Sequence, residues 1–72
     1  MNAQDLIAII EERKRSLGWT DEKLAQALGI SRPLWSQIRR GKRRVTLDVV
    51  RGILHVFPDL EAQILAFLKG DA

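Results

Sequence analysis

The residues of this chain best equipped for chemistry are its cations. Between Arg32 and Arg51 seven Lys and Arg stand against one acidic residue, and five of the seven fall in the run from Arg39 to Arg44, broken only by Gly41. Upstream, residues 1–31 carry four basic and five acidic residues; downstream, residues 52–72 carry one and three. The formal net charge of +3 is therefore a patch on a chain that is otherwise neutral to acidic. A basic strip of this kind suits an acidic polymer better than it suits general solubility.

Other chemistries have few tools. With no Cys there is no disulfide framework, thiolate nucleophile or zinc-finger site, and the single histidine, His55, has no second imidazole to pair with. No pair of titratable groups stands at catalytic spacing with a nucleophile, so neither an enzyme nor a cofactor is expected. The 72 residues suffice for one domain with a modest core and no deep enclosed site. The longest apolar run, Leu6 to Ile10, falls far short of the roughly 18 residues of a membrane span. The start of the chain has neither a basic n-region nor a long apolar stretch, so the expectation is a soluble, unexported, cytoplasmic protein with no membrane partner.

Short helices must position the basic strip. Asn2 and Asp5 form a capping pair for a first helix, Ala3 to Leu17, with Leu6, Ile10 and Leu17 on one face and Glu11 and Arg15 at i,i+4 spacing. The basic residues Arg13 to Arg15 then read as a solvated helix end, and Gly18 stops the helix. Thr20 caps a second helix, Asp21 to Leu28, with Trp19 and Leu24 at staple spacing; Gly29 ends it. Only two residues later Ser31 caps a third, Arg32 to Arg40, with Pro33 in its first turn, Ile30 and Trp35 as a second staple, and Gly41 as its end. Thr46 caps a fourth, Leu47 to about Val56, which Pro58 terminates. A fifth, about 59–69, carries Leu60, Ile64, Leu65, Phe67 and Leu68. No stretch alternates as a strand does. Trp19, Trp35 and His55 read as structural residues or, for the histidine, a surface one.

Two helices joined by Gly-Ile-Ser cannot lie antiparallel; they cross steeply and the second protrudes. On Leu24, Ala25, Leu28, Gly29, Ile30, Ser31, Trp35, Ile38 and Gly41 the chain resembles the helix-turn-helix domains of the Cro and phage-repressor type, the XRE family, from about Leu6 to Val56. The resemblance implies an all-α, five-helix repressor-like fold over residues 1–72, with the helix-turn-helix at about 21–40. Arg32, Pro33, Ser36 and Gln37 would then reach base edges in the major groove: Arg32 to guanine O6 and N7, Gln37 to adenine N6 and N7, Pro33 to a thymine methyl. Ser31 and the neighbouring helix amides suit a phosphate, and Arg40, Lys42, Arg43 and Arg44 suit the backbone beside the groove.

The chain also departs from the family's pattern. Asp21 stands where the family often has a Gln that meets a phosphate, and its charge would repel one. Arg39 stands where a Glu often pairs with a basic residue of the first helix; that residue is here Lys14, so no such pair is expected. Trp35 replaces a β-branched residue, and Gly52 is the candidate to yield the volume. The reading that results is a sequence-specific regulator of double-stranded DNA, acting as a repressor and as a homodimer through Leu60, Ile64, Phe67 and Leu68 of the last helix. The alternatives are a protein-interaction adaptor on the same fold, favoured by Asp21 and Arg39, and a DNA-tethering module of a recombination or toxin-antitoxin system.

Overall fold

The computed structural model describes residues 1–70; positions 71 and 72, the end of the expected 1–72 span, lie outside the described residues. Five helices follow in order: α1 (Ala3–Leu17), α2 (Asp21–Leu28), α3 (Arg32–Arg39), α4 (Leu47–Val56) and α5 (Glu61–Lys69), with a 3-10 turn at Pro58–Leu60 before the last. The described residues contain no strand, so the fold is all-α as the periodicity predicts.

The helix starts are chemically specified. Asn2 and Asp5 exchange both bonds of a capping box, and the hydroxyls of Thr20, Ser31 and Thr46 each accept the N–H three residues on. Boundaries differ from expectation in two places. Arg40 caps the third helix rather than extending it, because the Gly41 and Lys42 N–H groups turn back to the Ile38 and Gln37 carbonyls. That closure requires the left-handed conformation of Gly41 (φ +76°). The fifth helix begins at Glu61 because Pro58 starts a 3-10 turn instead, bonded from the Leu60 N–H to the Phe57 carbonyl.

The core gathers Leu6, Ile7 and Ile10 of α1, Leu24, Ala25 and Leu28 of α2, Trp35 and Ile38 of α3, Val49, Val50 and Ile53 of α4, and Phe57, Leu60 and Ile64 beyond it. Several sequence expectations change here. Leu17, expected on the core face, is 47% exposed, since the last turn of α1 runs past its partners. Glu11 does not pair with Arg15, whose guanidinium meets Glu12 instead at 2.6 Å. Leu60 and Ile64, expected to face another subunit, are buried in the chain's own core, and Phe67 packs against it. The surplus apolar surface of α5 is Leu65 and Leu68. Nor is Arg13 merely a solvated helix end: it lies 5.0 Å from the Phe57 ring centroid and pairs with Asp59, tying α1 to the 3-10 turn before α5. Trp19 sits over the same ring, 5.8 Å between centroids.

Gly52 does not make room for Trp35. A Cβ at Gly52 would be driven into the Leu28 carbonyl oxygen, well inside van der Waals contact, so the missing side chain lets α4 close on the end of α2. This contact fixes α2, and through it α3, on the rest of the molecule. Because the obstructing atom is backbone and cannot step aside, Gly52→Ala should destabilise the chain by about 1–3 kcal/mol or more. Urea unfolding measures it, and unchanged stability would contradict so close an approach.

Candidate nucleic-acid interface

The exposed half of α3 is aimed by what its other half holds. Trp35 and Ile38, each 1% exposed, anchor the helix in the core, which turns Arg32 and Pro33 outward and leaves Ser36 and Gln37 half-buried at the edge of the same surface. Ser31 is exposed, and its hydroxyl oxygen accepts the Leu34 N–H at 3.2 Å while its own proton remains available to donate. Past the glycine closure the chain emerges as an exposed loop carrying Lys42, Arg43 and Arg44, with Arg40 exposed beside it. Arg32, Pro33, Ser36 and Gln37 thus sit on the helix, and the remaining cations beyond its C-terminal end.

The far end of α3 is held by charge. Arg39 donates to Asp21 Oδ2 at 3.0 Å and to Glu11 Oε1 at 3.4 Å, and the Lys14 ammonium meets Asp21 Oδ1 at 2.5 Å and Glu11 Oε2 at 3.0 Å. Two cations and two carboxylates therefore close a ring joining α1, the start of α2 and the end of α3. This overturns two expectations drawn from sequence. A pair between the end of α3 and α1 does form, with its polarity reversed, since the cation now sits on α3 and Glu11 supplies the carboxylate. Asp21, expected to repel a phosphate, is 24% exposed and has its charge taken up by Lys14 and Arg39. Asp21 and Arg39, two of the residues that depart from the family's pattern, thus account for each other, which removes the observation that favoured an adaptor. Compared singly with the family's pattern, Asp21 and Arg39 each look unfavourable; the signal lies in two cations and two carboxylates on three facing elements.

The electrostatics agree with the geometry. The hydrogen bond from Lys14 holds the Asp21 carboxyl below the usual carboxylate range, against the opposing effect of burial and with help from the Arg39 charge. Burial pulls the Lys14 ammonium down, but its bonds to Asp21 and Glu11 outweigh this and hold it above its ordinary value.

Charge is consequently sorted over the surface. Arg13, Lys14, Arg15, Arg39 and Arg51 each meet a carboxylate, whereas Arg32, Arg40, Lys42, Arg43 and Arg44 have none within ion-pair distance among the described residues. Lys23 lies over the Trp19 ring, 5.6 Å from its centroid, and Lys69 ends α5; the other free cations are those at the start of α3 and in the loop that follows it. A helix-turn-helix family model matches residues 9–63 of the chain. The chain belongs to the helix-turn-helix family of the Cro and phage-repressor type. It is thus a DNA-binding helix-turn-helix regulator, of a family that is regulatory rather than typically enzymatic. No curated protein and no solved structure matches the chain. None of the described helices is long and apolar enough to cross a membrane.

Because the carboxyl of Asp21 is depressed in the folded chain, its contribution is present above the ordinary carboxylate value and lost as pH falls through the folded one. Asp21→Asn should therefore lower stability near neutral pH by about 1–2 kcal/mol, between the values for exposed and buried pairs. The difference between the two chains should shrink on acidification below about pH 4. Denaturant unfolding across that range checks it, and a difference independent of pH would contradict the pairing.

Proposed function

We propose that this chain is a sequence-specific, double-stranded-DNA-binding transcriptional repressor that lays α3 in the major groove. The observation that carries the reading is the sorting of charge: the network cancels Lys14 and Arg39, and leaves Arg32 at the start of α3 and Arg40, Lys42, Arg43 and Arg44 past its end unpaired. In this reading Arg32, Pro33, Ser36 and Gln37 face base edges, Arg32 bridging guanine O6 and N7 and Gln37 pairing with adenine. Ser31, Arg40, Lys42, Arg43 and Arg44 hold the phosphate backbone. A second copy joins through Leu65 and Leu68 of α5, which are 48% and 50% exposed, to place two such helices on a pseudo-palindromic operator. The setting is the cytoplasm.

Selection of bound duplexes from a random pool tests sequence specificity, with an enriched, two-fold-related motif expected and no enrichment at low salt counting against it. On the selected duplex the slope of log affinity against log salt should be about −3 to −5 per protomer, for about four to six neutralised phosphates. A slope near zero contradicts backbone binding. Arg32→Ala should cost about 1–3 kcal/mol on that duplex and little on random DNA, whereas Arg43→Ala should weaken both alike and lower the slope by about one. Equal losses for Arg32→Ala on both duplexes would make Arg32 a backbone clamp. Sedimentation equilibrium addresses assembly: a dimer that Leu65→Ser with Leu68→Ser dissociates is expected, and a strictly monomeric parent at high concentration rejects it.

A further inference from the structure

Between the start of α1 and the loop that follows α3 lies a groove whose walls come from two elements. Gln4, Ile7, Ile38, Lys42, Arg43 and Arg44 line it, together with Ala3 and Gly41. Ile7 and Ile38 form an apolar floor, 5% and 1% exposed, and the three cations stand exposed at the rim. None of the lining residues is acidic. Asp5, the nearest carboxylate in sequence, is occupied by the capping box, where it accepts the Asn2 N–H.

Gln4 is the unexpected member. Its carboxamide lies over the loop, with Nε2 3.5 Å from where a Cβ on Gly41 would stand, and it makes no hydrogen bond to the described residues. An uncharged amide with two unused donors therefore borders a group of unpaired cations on a floor that excludes water from one side. Such a setting favours an anion with several acceptor oxygens, since the cations supply attraction and the amide supplies a directed bond without adding charge.

We infer that this groove receives a phosphate group of the DNA backbone, with Gln4 as a neutral donor beside Lys42, Arg43 and Arg44, so that the first turn of α1 is part of the DNA-binding surface. This rests on the proposed DNA-binding mode and adds to it a contact from a helix outside the helix-turn-helix. A phosphate held between α1 and the loop is fixed in position relative to α3, whereas one held by loop cations alone moves with them. Gln4 thus helps set how deeply α3 enters the groove.

The test uses the full chain and duplexes in which single backbone phosphates are replaced by uncharged methylphosphonates. Gln4→Ala, at an exposed position that leaves the helix fold intact by circular dichroism, should weaken binding to the unmodified duplex about tenfold, as loss of one charge-assisted bond. Its salt slope should equal that of the parent, because no cation is removed. At one methylphosphonate position the parent itself should weaken, and Gln4→Ala should there cost nothing further. Parent-like binding by Gln4→Ala, or the same loss at every modified position, overturns the assignment while leaving the proposed function standing. Failure of the parent to bind any duplex with a salt dependence overturns both. Inorganic phosphate provides the remaining arm. A shift of the Gln4 side-chain amide resonances by millimolar phosphate, with none on adding duplex, would make the groove a site for a free anion and also reject the inference.

Discussion

One carboxylate carries much of the architecture. Asp21 begins α2, receives Lys14 of α1 on one oxygen and Arg39 of α3 on the other, and so ties three elements at the C-terminal end of α3. A helix of eight residues has little stability of its own, and its direction must come from its attachments. Trp35 and Ile38 provide the apolar attachment, which resists lifting but is weakly directional. The ionic ring adds direction at the C-terminal end, and the Ser31 cap adds it at the start.

The same ring determines what remains on the surface. Were Lys14 and Arg39 unpaired, positive charge would spread from α1 round to the loop, and an acidic polymer would have no preferred face. With both neutralised, the free cations other than Lys23 and Lys69 are Arg32 and those of residues 40–44. Structure and electrostatics are here one device, because the carboxylates that hold α3 also confine attraction to the side from which it projects. Gly52 plays a comparable part through packing. By admitting the Leu28 carbonyl against α4, it seats α2 firmly enough for the ring to act on a fixed frame.

Much of this was legible in the sequence because it is written locally. Thr20, Ser31 and Thr46 announce helix starts through bonds to amides three residues away, and Gly29 and Gly41 announce ends through a conformation other residues avoid. The charge balance of residues 32–51 likewise marked the basic face. What was not legible depends on facing elements. Whether Leu60 and Ile64 look inward or toward a second copy is set by the turn at Pro58–Leu60, which shifts the face that α5 presents. Volume compensation between Gly52 and Trp35 can be argued from composition, whereas a helix-to-helix approach at Leu28 requires the crossing itself. Asp21 taken alone reads as a repulsive charge, since its partners lie across space, and Gln4, a common residue near a helix start, carries no sequence signal at all.

The central claim is that charge cancellation behind α3 leaves one face to engage DNA, and a backbone amide NMR titration with a duplex of selected sequence tests it most directly. Resonances of residues 31–37 and 40–44 should shift or broaden together at stoichiometric duplex, while those of Arg13, Arg15 and Arg51, whose charges are paired, stay in place. Perturbation centred on the paired cations, with residues 31–44 unmoved, would contradict it.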